Sequence, residues 1–290
     1  MKLVTFRHQG TEQTGVLSED ASTVTAVPGS QDLVSLIENW DGAAAQLAVA
    51  TGRAINIADV ELLAPIPLPR RNIFCVGRNY VEHAKEFANS GYDATASATA
   101  QPEYPVVFTK APSTVIGTGA DIDPHTSVTN ELDYEAELGV IIGKGGRGIS
   151  QADALDHVWG YTIINDVTAR DLQKDHKQWF LGKSLDTHAP MGPWAVTRDE
   201  VGDGPLDLLC TVNGETRQKA TTADLIFDIP TIIETISAGI TLQPGDIIAT
   251  GTPVGVGIGF TPPRFLTTGD VVEISISKLG TLTNRIGEGR

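Results

Sequence analysis

The chain has 290 residues, of which 41% are hydrophobic and 20% charged, enough for a sizeable core and inconsistent with disorder over most of its length. Its 21 basic and 36 acidic residues leave a net charge of −15, which works against a phosphate backbone, so no nucleic-acid partner is expected. No apolar run approaches the roughly 18 residues of a membrane span, and the opening MKLVTFRHQG has no secretory h-region; a cytoplasmic protein without a membrane partner is expected.

Residues 1–65 alternate short strand-like runs (residues 3–6 and 24–27) with polar turns, and carry Leu33, Leu36 and Ile37 at helical spacing. They read as a small N-terminal α/β domain. The stretch PIPLPRR at 65–71 favours an extended connection because proline disrupts helices and central strands, which places a second domain at 66–290. There the text changes to short aliphatic strands at 73–76, 106–108, 138–142, 161–164, 208–212, 247–249 and 271–276, punctuated by Gly, Pro and Asp. Many short strands with regular turn signals predict a twisted β-rich core with few helices, not a βαβ sheet. Asn213-Gly214 predicts a two-residue hairpin turn. Residues 88–105, rich in Ala, Ser and Thr and without a period, read as either a disordered stretch or a functional lid, and the chemistry beside them favours the lid. Cys75 and Cys210 are far apart and lack metal-ligand spacing, so they read as two buried thiols.

Several groups of residues could carry chemistry. In YEAELGV, Glu135 and Glu137 are two apart, so on a strand their carboxylates share a face; like charges so close need a cation or a proton between them. Asp166 ends an aliphatic run in YTIINDVTARDLQ, just before a helical pattern that begins with Thr168, Ala169 and Arg170. It could cap that helix, or be held at the strand end beside the glutamates. Three oxygen ligands without cysteine or paired histidine suit Mg²⁺, with Mn²⁺ as a possible substitute, and disfavour zinc. His83 and Glu86, three apart in GRNYVEHAKEF, share a helix face and could activate water as a general base. Taken singly, the two glutamates and the His83–Glu86 pair read first as solvated surface, and Asp166 as a helix cap. Gly182-Lys183-Ser184 has the ending of a P-loop, but Lys177 stands where its first glycine belongs. Gly255, Gly257 and Gly259 lack the strand-turn-helix context of a dinucleotide fingerprint. No G-x-S-x-G elbow occurs.

In order, GRNYVEHAKEF, FTKAPS, YEAELGV, NDVTARDLQ, GKSLDT, TGTPVGVG, GDVVEI and LTNRIG resemble the fumarylacetoacetate hydrolase family over about residues 72–285. The resemblance implies an α+β protein whose larger domain is a β-rich mixed β-sandwich roll, usually a homodimer, with Mg²⁺ held by Glu135, Glu137 and Asp166. It further implies that His83 and Glu86 form the water-activating dyad, that Lys183 with Gln173 and Arg170 contacts substrate oxygens, and that Thr252 meets the substrate carboxylate. The animal hydrolase that names the family has another metal-binding Asp seven residues before its histidine, where this chain has Val76. The likeness is therefore to the shorter bacterial-type members, and fumarylacetoacetate is not the expected substrate. The expected activity is hydrolysis of a C–C bond in an acylpyruvate-type 2,4-dioxo acid, with pyruvate enolate as leaving group and Lys183 on the oxyanion. Oxaloacetate decarboxylation and 2-hydroxymuconate-type isomerisation or tautomerisation are the alternatives, and a metal or sugar-acid binding module is the non-enzymatic one.

Overall fold

A strand covered on both faces reads as an unbroken aliphatic run, and Ala136–Ile142 is buried at every residue. The computed structural model, which describes residues 1–29, 32–47, 52–92 and 101–289, places this strand in the middle of a long mixed sheet. On one side it pairs antiparallel with the equally buried Val158–Asn165, which pairs with Ala189–Thr197, which in turn pairs with Lys2–His8. On the other side it pairs with Ile247–Ala249; Ile73–Gly77 follows in parallel and Val106–Lys110 in antiparallel order. Beyond Lys2–His8 the sheet continues through Thr11–Leu17, Thr23–Ala26 and Ala54–Asn56.

A second, five-stranded sheet runs in the order Glu215–Thr221, Asp207–Val212, Val271–Ile276, Gly280–Ile286, Asp121–Ile122. Val271–Ile276 buries alternate residues only, as expected of a strand with one face on a core and one towards solvent. Its inward residues Val272, Ile274 and Ile276 join Leu138, Val140 and Ile163 of the first sheet in one apolar cluster. This is a β-rich sandwich with few helices, the predicted α+β class, and most of its strand pairs are antiparallel. Leu33, Leu36 and Ile37, on the helix Leu33–Glu38, pack with Leu3 against Ile141, Ile164 and Ile247, so residues on both sides of the proline-rich stretch share a second cluster. The turn at Asn213-Gly214 has φ of 52° and 77° and joins Val212 to its partner Glu215, the hairpin geometry that the dipeptide predicts.

The helix expected directly after Asp166 starts later. Thr168–Ala169 pairs with Leu132–Asp133 as a short ladder, the Thr168 hydroxyl donates to the Asp166 carbonyl at 2.8 Å, and the helix is Arg170–Asp175 with Ala169 as its cap. A β-branched residue with a backbone partner within reach overrides the helical period here. Of the predicted lid at 88–105, residues 93–100 lie outside the described residues. Cys75 and Cys210 are free and buried. Among the described residues no helix is long and apolar enough to cross a membrane.

Gly160 lies opposite Thr197 where two buried strands approach closely, and a Cβ there would sit 2.2 Å from the Val196 carbonyl oxygen. The obstacle is backbone and cannot swing away. Gly160→Ala is expected to destabilise the fold by about 1–3 kcal/mol, the usual cost of overpacking, read as a lowered denaturation midpoint at unchanged m-value. An unaltered midpoint would mean that the ladder has slack at this bulge.

Candidate metal centre and catalytic dyad

Antiparallel pairing of Ala136–Ile142 with Val158–Asn165 puts Ala136 opposite Asn165 and Glu137 opposite Ile164, so the start of one strand meets the end of the other. Glu137 lies within its strand, whereas Glu135 lies just before it and not on it, a departure from the shared strand face that the spacing predicts. Glu135 is nonetheless held to the neighbouring strand end, because its N–H donates to Asn165 Oδ1 at 3.1 Å and the Asp166 N–H donates to its carbonyl at 2.9 Å. The result is that Glu135, Glu137 and Asp166 are all buried and offer carboxylate oxygens within 4.8 Å of one another. Asp166 is not a helix cap.

Three buried cations stand among these carboxylates. Lys183 Nζ donates to Glu135 Oε2 at 2.8 Å and to Asp166 Oδ2 at 2.7 Å. Lys110 Nζ donates to Asp166 Oδ1 at 2.6 Å and to the Val167 carbonyl at 3.0 Å. Arg170 reaches Glu135 Oε1 through Nη1 at 2.8 Å and Asp133 Oδ2 through Nε at 2.9 Å. Burial alone would raise the Glu135 carboxyl, but Lys183 and Arg170 beside it hold it down at about 2. Burial would likewise lower the Lys183 ammonium, and Asp166 and Glu135 raise it instead. Glu137 differs. It accepts the Gly251 N–H at 2.8 Å, and burial together with Asp166 and Glu135 pushes its carboxyl well above the ordinary range.

Counting Asp133, four buried carboxylates thus face three buried cations, and Glu137 is the carboxyl whose charged form burial and its neighbours disfavour. A divalent cation among Glu135, Glu137 and Asp166 fits this cluster in donor chemistry and in charge, since all three donors are carboxylate oxygens. The Lys183 ammonium already bridges two of them.

His83 and Glu86 share one face of the helix Val81–Asn89, with His83 Nδ1 and Glu86 Oε2 2.9 Å apart. His83 lines a cavity of about 10 Å³, room for about one water, together with Glu135, Arg170, Gln173 and Lys183, beside an aromatic wall of Phe108 and Trp179. Gln173 Oε1 accepts from Arg170 Nη1 at 3.1 Å, and Arg170 Nη2 is a buried donor with no partner among the described residues. Thr252 is buried but stands off this cavity, and its hydroxyl accepts from Gln218 Nε2 at 2.8 Å. The fold therefore gathers His83, Glu135, Arg170, Gln173 and Lys183 around one space, sets Glu137 and Asp166 behind it, and engages Thr252 elsewhere.

Sequence reasoning missed Lys110, Asp133 and the backbone of residues 251–258. Asp133 accepts from the Gly257 and Ile258 N–H groups at 2.6 and 3.1 Å while it holds Arg170. Its signal was present as the first member of an alternating Asp133, Glu135, Glu137 series. Lys110 stands in the FTKAPS stretch of the resemblance, but as a lone lysine ending an apolar strand it carries no mark of its partner.

The family model described as "Fumarylacetoacetate (FAA) hydrolase C-terminal" matches residues 72–287, and the one described as "Rv2993c-like, N-terminal" matches residues 1–65. The chain is 54% identical over 233 residues to the oxaloacetate tautomerase YisK of Bacillus subtilis (strain 168), covering 80% of this chain and 75% of that one. It superposes on a fumarylacetoacetate hydrolase from the psychrophile Exiguobacterium antarcticum with a TM-score of 0.87 at 41% identity, over 100% of both chains. A maleylpyruvate hydrolase from Sphingobium sp. SYK-6, solved with manganese(II) and pyruvate, superposes with a TM-score of 0.79 at 31% identity, again over 100% of both.

Lys110→Met leaves Asp166 without one of its buried cations. In the metal-free protein it is expected to cost about 3–5 kcal/mol, as broken buried ion pairs do, and added Mg²⁺ should recover more of the thermal midpoint in the variant than in wild type. Equal metal-induced shifts in both would detach Lys110 from the metal cluster. A second expectation concerns His188, whose Nε2 lies 3.1 Å from the Asp123 carbonyl. Burial, with Lys110 nearby, pushes its imidazole down to about 3 from an ordinary 6.5. The unfolded chain therefore takes up a proton below pH 6.5 that the folded chain refuses, and this stabilisation, complete above 6.5, is lost as pH falls towards 3, by about 1.4 kcal/mol per unit. Stability curves of wild type and His188→Gln should converge over that window; parallel curves would show that His188 is not held neutral.

Proposed function

The chain belongs to the fumarylacetoacetate hydrolase family, and from that premise we propose that it is a metal-dependent enzyme that interconverts the enol and keto forms of a short 2-oxo diacid of the oxaloacetate type. One observation carries this reading: His83 of the dyad, Glu135 of the acidic cluster and Arg170, whose Nη2 is a buried donor without a partner among the described residues, line the same small cavity. Its 54% identity to an oxaloacetate tautomerase supports the same choice of substrate.

Magnesium is the proposed resident ion, with manganese as a substitute, and Glu135, Glu137 and Asp166 are its proposed ligands. Bound there, the ion supplies Lewis-acid stabilisation of negative charge that develops on the 2-oxo oxygen. The chain's own residues do the rest. Glu86 occupies His83 Nδ1, which leaves Nε2 to take the proton from C3 of the keto form and pass it to the 2-oxo oxygen, and to carry it from the enol O–H back to C3 in the other direction. Arg170 Nη2 is a ready donor for a substrate carboxylate, and Gln173 holds the guanidinium in place through Nη1. The aromatic side chains of Phe108 and Trp179 wall this space and exclude bulk water.

A second reading, hydrolysis of an acylpyruvate, is favoured by the same dyad acting on water and by likeness to a maleylpyruvate hydrolase. It asks Lys183 to meet an oxyanion, whereas Lys183 is engaged by Glu135 and Asp166. Tautomerisation needs no second oxyanion site.

The test follows the decay of enol-oxaloacetate absorbance with Mg²⁺-loaded protein, beside the cleavage of acylpyruvates. Acceleration is expected, lost in excess EDTA and restored by Mg²⁺ or Mn²⁺, and His83→Ala should lower it by about 10²- to 10⁴-fold, the usual share of general acid–base catalysis. Cleavage of acylpyruvate without any effect on the enol would replace the first reading by the second.

A further inference from the structure

Glu86 does not reach His83 by the rotamer preference of its helix alone. Both of its oxygens are engaged, Oε2 by His83 Nδ1 at 2.9 Å and Oε1 by the Gly255 N–H at 3.0 Å, and its side chain is 10% exposed. The carboxylate also fills the space above Gly259, where an added Cβ would lie 1.8 Å from Oε1 and 2.4 Å from Cδ. Gly259 does not have the left-handed backbone that by itself demands glycine, and it is absent from the positive-φ residues. What it contributes is room. The same loop packs Val256 and Ile258 against Phe87 of the dyad helix, and its Gly257 and Ile258 N–H groups hold Asp133, the partner of Arg170.

We propose that the loop of residues 255–259 is the positioning element of the dyad, and that Gly259 is a positioning residue whose missing side chain lets Glu86 orient the His83 ring. The inference rests on the reading of His83 as the proton carrier only for its kinetic consequence; the placement of Glu86 stands on geometry alone. The obstructing group at Gly259 is the far end of a flexible side chain. A methyl group there therefore displaces the glutamate and leaves the fold in place, in contrast to Gly160, where the obstacle is backbone.

The experiment compares wild type, Gly259→Ala, Glu86→Gln and the double variant, all with Mg²⁺ present. Ring ¹⁵N NMR of His83 is read alongside kcat/KM for enol-oxaloacetate. In wild type the neutral ring should hold its proton on Nδ1, donated to Glu86; in Gly259→Ala the ring should become a mixture of tautomers. The rate should fall towards that of Glu86→Gln, and the double variant should lie within about twofold of Glu86→Gln, because two changes that remove one interaction do not add. A wild-type tautomer with a wild-type rate in Gly259→Ala overturns the proposal, and so do additive losses. If the tautomer shifts in Gly259→Ala while Glu86→Gln keeps full rate, the positioning role stands and the proton-carrier reading falls. Should Gly259→Ala unfold, Glu86→Ala in the same background vacates the space. Recovery of the thermal midpoint then supports the proposal, and its absence overturns it.

Discussion

Three carboxylates cannot share a dry pocket unless cations stand among them. Glu135, Glu137 and Asp166 lie within 4.8 Å of one another, each nearly inaccessible to water, and much of the surrounding architecture answers that requirement. The cations come from three separate elements: Lys110 from the last residue of the strand Val106–Lys110, Arg170 from the first of the helix Arg170–Asp175, and Lys183 from the last of the helix Phe180–Lys183. None of these short elements would be placed so by its own propensity. They are held by the pairs they make, and the surplus of one carboxylate is what turns a structural ion cluster into a candidate site for a divalent ion.

The sheet supplies the precision. Adjacent strands in fixed register put Glu137 near the start of Ala136–Ile142, Asp166 just past the end of Val158–Asn165, and Gly251 shortly after Ile247–Ala249, whose Ala249 pairs with Gly139. Side chains at the ends of paired strands keep their separation because the ladder does. The dyad helix lies outside this sheet. It is tied to it by Asn79, whose side-chain amide donates to the Thr250 carbonyl at 2.8 Å, and by the glycine loop beneath Glu86. The acidic cradle and the His83–Glu86 pair on its separate helix are thus joined through a few hydrogen bonds, in a run from Glu86 through residues 255–258 to Asp133, Arg170 and Glu135.

The strands were legible because buried β-branched runs broken by Gly, Pro and Asp have few alternatives, and each predicted run lies within or nearly coincides with an observed strand. The hairpin at Asn213-Gly214 was legible for a local reason, its positive φ values. What could not be read was pairing across distance. Lys110 meets Asp166 56 residues away and Asp133 meets Arg170 37 residues away, and a lone lysine or aspartate carries no mark of a partner supplied by the fold. Spacing also misled in one detail: two glutamates two apart suggested a shared strand face, but Glu135 lies before the strand and reaches the cluster through Asn165. Thr252, for which the resemblance implied a substrate contact, is buried and its hydroxyl accepts from Gln218 Nε2 at 2.8 Å.

Similar chains carry the names of a tautomerase and of a hydrolase, and the physics of the cradle indicates where such differences must arise. Removing any one member of an interlocked buried ion cluster leaves an uncompensated charge, at a cost of several kcal/mol, so the cradle resists gradual change. An enolate formed beside a divalent ion is a common intermediate for tautomerisation, decarboxylation and C–C cleavage, and a fold alone does not choose among them. On our reading the choice would fall to groups that can vary without unbalancing charge: the aromatic wall of Phe108 and Trp179 beside the cavity, and the angle at which Glu86 holds the His83 ring. The second of these depends on whether a glycine stands at 259. Reaction type on this scaffold would then be tuned by the space around the His83–Glu86 hydrogen bond, while the metal cradle stays the same.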